Sequence, residues 1–235
     1  MRGGLLSLEM VRSSTRRWTA CGRTPGCGGS PWKGADAEFS FGARIQEHAP
    51  DQMIRVLPAT HAVMRRLLAL PVPTAAIVEG RCLGGGFELA LCCDDILAAP
   101  KATFGLPEIT VGAFPPLGAL LLPLRAGASR AARAVVTGDT QTAEYWHQAG
   151  LVSVAAGGRP VLESAGDWFD QRLAGHSAVA LSHAARASRL VLRTQVEPLI
   201  EVVERQYLDE LLRTHDAAEG VRAFVERRPP AWDDR

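Results

Sequence analysis

Three consecutive glycines stand directly before a carboxylate and an apolar run in GRCLGGGFELALCCDD, residues 80–95, and they restrict this chain more than any other stretch does. Glycine loses more conformational entropy on folding than any other residue, so Gly84, Gly85 and Gly86 at the mouth of a buried helix need a reason. One reason is the close approach of a backbone N–H to a ligand atom. A helix that begins near Gly85 has free N–H groups at its start, which suit an anion or a developing oxyanion. Glu88 follows Gly85 by three residues and so falls on the same helical face, placed to handle a proton or a water. A tight turn followed by a dipole-stabilised glutamate explains the same residues without chemistry, so the motif alone is weak.

The neighbouring pattern places this stretch in a sheet-containing core. MIRVLPATHAVMRRLLAL carries apolar residues at helical spacing and is closed by Pro71 and Pro73. TAAIVEG reads as a short buried strand, GGFELALCCD as a short helix and DILAAP as a second strand, an order that suggests a parallel crossover unit. FSFGARIQEHAPDQ reads as a strand end and a loop, and LVSVAA as a small strand after three more helical stretches. Beyond Gly158 the pattern is helical to Arg228. Residues 1–35 show neither helical nor strand periodicity, and no element is assigned to them.

Glu108, in FGLPEITVG, follows the crossover, which can return that segment beside the helix start. Two glutamates then flank one site. Paired carboxylates around backbone donors are what water addition to an activated double bond needs: one activates water, the other protonates carbon, and the donors stabilise the enolate. An exposed loop residue is the plain alternative for Glu108.

Composition removes several partners. The net charge is +1 with no polybasic or polyacidic tract, so neither nucleic acid nor a membrane surface is expected, and the ligand should be small. Five cysteines form no metal-type pair, and Cys92 and Cys93 sit in an apolar stretch where thiols behave as small hydrophobes. No metal is expected at Asp94 and Asp95, which should engage neighbouring backbone or subunit groups. Without a signal-peptide segment or a long apolar run, a soluble cytoplasmic protein is expected.

PVPTAAIVEGRCLGGGFELALCCDDILAAPKATFGLPEITVGAFP resembles the signature region of the crotonase superfamily, the enoyl-CoA hydratase/isomerase family, with both hydratase glutamates and their spacing present. The resemblance runs from about Glu38 to Trp232. It implies an α/β crotonase-like (ClpP/crotonase) spiral of ββα units over residues 36–158 and a helical oligomerisation region over 159–235. It also implies Glu88 and Glu108 as the catalytic pair, with an oxyanion hole from the N–H of Ala43, in FSFGAR, and that of Gly85. Gly84, His48, Phe114 and Pro115 are candidate pocket residues. No cofactor is implied beyond the coenzyme A carried by the substrate, and the assembly implied is a homotrimer or a dimer of trimers.

Within the family, FSFGA, CLGGGFELAL and PEITVGAFPP look most like hydratases of cyclic dienoyl-CoA thioesters from aromatic degradation. Straight-chain hydratases share the glutamates. A double-bond isomerase or an inactive acyl-CoA-binding homologue is the alternative, whereas a dinucleotide-binding fold lacks its G-x-G-x-x-G. Two departures stand out: Arg44 replaces the aspartate of many relatives, and residues 1–35 lack the usual first strands. That segment is expected to be poorly ordered, from an altered frame, a wrong start or a damaged gene, unless it is a lineage-specific extension.

Overall fold

The computed structural model describes residues 5–6, 32–33, 39–40, 42–43, 50–155 and 159–234. Among them the strands are β1 (Leu5–Leu6), β2 (Trp32–Lys33), β3 (Gly42–Ala43), β4 (Ala75–Val78), β5 (Arg81–Leu83), β6 (Asp95–Ala98), β7 (Thr103–Gly105), β8 (Thr140–Thr142) and β9 (Ser153–Val154). The helices are α1 (Pro50–Leu68), α2 (Gly85–Leu91), α3 (Pro116–Ala126), α4 (Ala128–Thr137), α5 (Ala143–Gln148), α6 (Val161–Arg172), α7 (Ala178–Ser188), α8 (Leu190–Arg205) and α9 (His215–Glu226).

Strands β2, β4, β6 and β9 lie side by side in one parallel sheet. In a second sheet β5 runs parallel to β7 and β7 antiparallel to β8. Each turn of the chain therefore gives one strand to each sheet and then a helix: β4, β5 and α2 form one turn, and β6, β7 and α3 the next. This is the expected spiral of ββα units. The crossover read from the sequence is the β4–β6 pair, with Ala75 opposite Asp95 and Val78 opposite Ala98.

Three details differ from the sequence reading. Leu5–Leu6 pair with Gly42–Ala43, and Trp32–Lys33 add an edge to β4, where no element was assigned. Two-residue strands are too short to show an alternation, which is why periodicity misses them; the rest of residues 1–35, and the expected disorder, lie outside the described residues. Strands β5, β7 and β8 also go unmarked in the sequence pattern, so Glu108 leaves from β7 and not directly from β6. Helix α1 begins at Pro50, within the stretch read as loop, because proline is well suited to a first turn.

One apolar core holds the spiral together. Met64, Leu67 and Leu68 of α1 pack with Phe87 and Leu91 of α2, with Phe104 of β7, and with Val196 and Ile200 of α8. Phe87 is wedged between Phe104 and Trp146, with ring centroids 5.3 and 5.5 Å away. Cys82, Cys92 and Cys93 are buried in this core, their thiols pushed up by desolvation, and so behave as small hydrophobes.

Asp94 and Asp95 do engage neighbouring groups. Asp94 accepts from the Thr74 N–H at 2.7 Å and pairs with the buried Arg189, which also donates to the carbonyls of Leu70 and Val72. Asp95 accepts from the Ile96 N–H at 2.8 Å. Arg125 donates to the carbonyls of Leu91, Cys93 and Asp94, filling acceptors that the C-terminal end of α2 leaves free. These two arginines fix the far end of the glycine-led helix. Arg189→Leu removes the partner of Asp94, which keeps only Thr74 among the described residues, and leaves the Leu70 and Val72 carbonyls without this donor, so it is expected to cost about 2 kcal/mol, read as a lower denaturant midpoint.

Candidate active site

Four segments converge on the start of α2. Gly84 caps that helix at φ 53° and Gly42 sits at φ 83°, both in the left-handed region that favours glycine. The two approach so closely that a Cβ on Gly42 would lie 3.0 Å from the Gly85 nitrogen. Glycine at position 42 thus lets strand β3, with Ala43 at its end, lie against the first N–H of the helix. That N–H has no carbonyl one turn back within the helix to bond. Gly86 admits Ser40, whose Oγ accepts from the Gly42 N–H at 3.1 Å and fixes the bend before β3.

Glu88 is 5% exposed and its Oε1 accepts from the Gly118 N–H at 2.8 Å. Gly118 lies in the first turn of α3, whose cap Pro115 provides no side-chain hydrogen bond, so the carboxylate satisfies a donor that the helix cannot. Burial pushes the Glu88 carboxyl up, while His61 and the N–H groups of Gly118 and Leu117 pull it toward the ionised form.

Glu108 sits in a 3-10 turn, Pro107–Val111, ended by Gly112 at φ 68°. Its Oε1 covers Gly84, where a Cβ would come within 2.7 Å. Its Oε2 is buried and has no hydrogen-bond partner among the described residues. Burial, and then the charge of Glu88, pushes the Glu108 carboxyl up to about 8. The two carboxyls are coupled and titrate as a unit, and burial with their mutual repulsion opposes full ionisation of the pair.

The C-terminal helices press the Glu108 turn into place. Gly220 of α9 lies against the Val111 carbonyl with no room for a Cβ, and Gly112 packs on the backbone of Asp216. Tyr207, on a π-helical turn after α8, packs against Phe114 with ring centroids 5.3 Å apart and planes tilted by 58°. Burial, and then the charges of Glu108 and Glu88, push its phenol up. Met53, Val56 and Leu57 of α1, Ala113 and Leu212 complete this apolar cluster.

Of the residues read from the sequence, Gly84, Gly85, Glu88 and Glu108 come together with the backbone of Gly42–Ala43. Phe114 belongs to the adjoining apolar cluster, and Pro115 precedes the helix that Glu88 caps. His48 lies outside the described residues. Two residues escaped the sequence reading. Tyr207 lies about a hundred residues from the motif and has no local signal. His61 has one: it is the histidine in the buried stripe of α1.

The site can polarise an acceptor at Gly85, accept a proton at Glu88 and donate one from Glu108. No group of three or more metal-ligating side chains occurs among the described residues.

A family model described as enoyl-CoA hydratase/isomerase matches residues 32–235. The chain is 40% identical over 203 residues to the cyclohexa-1,5-dienecarbonyl-CoA hydratase of Thauera aromatica, covering 85% of this chain and 78% of that protein. It is 37% identical over 199 residues to the 2,3-dehydroadipyl-CoA hydratase of Escherichia coli K12, covering 84% and 77%. A solved enoyl-CoA hydratase from Mycobacterium avium subsp. paratuberculosis K-10 superposes with a TM-score of 0.82 at 28% identity, over 97% of this chain and 89% of that one.

Proposed function

Because the chain belongs to the enoyl-CoA hydratase/isomerase family, we propose that it adds water across the double bond of an unsaturated acyl-CoA thioester, with a cyclic dienoyl group as its preferred acyl part. The observation that carries this reading is the buried Glu108, with one oxygen unpartnered among the described residues and its carboxyl pushed up to about 8, coupled to a buried Glu88 that accepts from the Gly118 N–H. The thioester carbonyl accepts hydrogen bonds from the N–H groups of Ala43 and Gly85. Glu88 takes a proton from water as the oxygen attacks the β-carbon, and Glu108 delivers its proton to the α-carbon. Glu88 ends protonated and Glu108 ionised, and transfer of one proton between them restores the starting state. The cyclic preference rests on the FSFGA and PEITVGAFPP stretches and on the 40% identity with a cyclic-dienoyl hydratase. A homotrimer or dimer of trimers belongs to the same proposal, covering exposed Leu190 and Val191.

The test is hydration of linear crotonyl-CoA and of cyclohexa-1,5-diene-1-carbonyl-CoA by the purified chain, followed by loss of the conjugated thioester chromophore and by product mass. A kcat/KM about tenfold higher for the ring supports the substrate assignment, preference for the linear thioester overturns it, and no hydration of either overturns the reaction.

One observation favours a second reading. Glu88 has a structural role at α3 through Gly118, so it would be retained in an isomerase that needs Glu108 alone. Glu88→Gln keeps an acceptor for that N–H and is expected to lower hydration about a hundredfold without lowering the melting temperature. Glu88→Ala is expected to lose about 1–2 kcal/mol of stability as well, because the helix donors become unsatisfied. Double-bond migration that survives Glu88→Gln at full rate would select the isomerase reading.

A further inference from the structure

We propose that Ser40 is a positioning residue for the oxyanion donors, its side chain holding the Gly42–Ala43 backbone at a fixed separation from the Gly85 N–H. The inference rests on the hydratase reading above and adds a residue that the reading does not use.

Ser40 is 3% exposed and is tied to two segments of the site. Its backbone is fastened to β5, the strand that leads into the glycine run: the Ser40 N–H donates to the Arg81 carbonyl at 3.2 Å, and the Ser40 carbonyl accepts from the Leu83 N–H at 2.8 Å. Its side chain reaches the other way. The Oγ accepts from the Gly42 N–H at 3.1 Å, so one buried residue bridges β5 and β3.

The same side chain lies against the start of α2. A Cβ on Gly86 would sit 2.5 Å from the Ser40 Cβ and 2.8 Å from its Oγ, so glycine at position 86 is what makes room for this serine. Each glycine of the run then faces its own neighbour: Glu108 Oε1 at Gly84, Gly42 at Gly85 and Ser40 at Gly86.

A serine that bonds the N–H two residues on is commonly a turn former and nothing more. Here that N–H belongs to Gly42 at φ 83°, the residue whose torsions set the direction of the Ala43 N–H. Glycine adopts many backbone conformations, so Gly42 by itself cannot hold the next donor in one direction. The hydroxyl fixes the peptide plane before Gly42, and pairing of Leu6 with Ala43 holds the strand beyond it. A donor fixed before the reaction needs no reorganisation as charge develops on the thioester oxygen.

The test uses Ser40→Ala and Ser40→Cys in the full chain, with Gly85→Pro as the reference for a lost donor. Hydration is followed across pH, and the infrared stretch of the thioester carbonyl is recorded in bound cyclohexanecarbonyl-CoA, a saturated thioester that cannot be hydrated. Ser40→Ala should lower kcat about tenfold at every pH with KM within about twofold, because the donors act on the developing enolate more than on the bound thioester. It should also lose about half of the lowering of the carbonyl stretch that binding to wild type produces. Ser40→Cys fills the same space with a weaker acceptor, so it should lie within about threefold of wild-type kcat, and it reports if Ser40→Ala fails to fold.

An unchanged kcat and carbonyl stretch in folded Ser40→Ala overturn the proposal, and so does a lower melting temperature with turnover per folded chain unchanged. A displaced limb of the pH profile overturns it as well, since that places the effect at the glutamates. If Gly85→Pro removes the carbonyl shift while Ser40→Ala keeps it, the oxyanion reading stands and the Ser40 proposal alone fails. If the wild-type chain hydrates no unsaturated thioester, the hydratase reading fails, and the carbonyl stretch still decides whether Ser40 holds the donors.

Discussion

Glu108→Gln should abolish nearly all hydration, by about a thousandfold, while making the protein more stable at neutral pH. The loss follows from the site. On the proposed mechanism the proton for carbon comes from Glu108, whose Oε1 covers Gly84, whereas water attack can proceed slowly without its base. The gain follows from linkage. The Glu108 carboxyl is raised from an ordinary 4.5 to about 8, so between those values the folded chain holds a proton that the unfolded chain releases. Wild-type stability therefore falls as pH rises from about 4.5 to 8, fully penalised only above the upper value. Glutamine has no such proton to lose. The melting temperature of the variant should exceed that of wild type at pH 8, and the difference should shrink toward pH 4. Wild-type activity should likewise fall as pH rises through about 8. Unchanged turnover in Glu108→Gln would remove the acid role, and parallel melting curves across this range would remove the buried proton.

Gly85→Pro should cost about a thousandfold in hydration as well, by a different route. Proline is tolerated in the first turn of a helix, so α2 itself can survive the change. What disappears is the N–H, and losing one oxyanion donor typically costs a hundredfold to a thousandfold. The ring also adds a carbon to a nitrogen that faces Gly42 closely, so strain on β3 is a second source of loss. Gly85→Ala separates the two effects: it adds a side chain and keeps the donor, and it should retain far more activity. A folded Gly85→Pro chain with normal turnover would refute the oxyanion role. Equal losses in both variants would place the cause in packing.

Much of this site was legible because its signals are local. The glycine run and Glu88 lie within five residues, and apolar spacing marks α1, α2 and the β4–β6 crossover. Two carboxylates twenty residues apart could be brought together by one crossover, whose handedness is nearly invariant. The short strands β1, β2, β5 and β7 were not legible, because two or three residues cannot display a period of two. The family resemblance supplied the spiral where periodicity could not.

The amino-acid sequence by itself determined the family, the residue types of the carboxylate pair and the glycines that permit close backbone approach, because each depends on neighbours along the chain. Only the tertiary structure decided the electrostatic character of the pair. Glu108 read equally well as an exposed loop residue; its carboxyl is pushed up to about 8 because its turn, packed against α9, is buried, where desolvation and Glu88 both oppose its charge. Burial raises the Glu88 carboxyl too, and N–H groups of a helix thirty residues away and a histidine on α1 offset part of that rise. Those fields arise from packing between distant segments, and no sequence spacing encodes them.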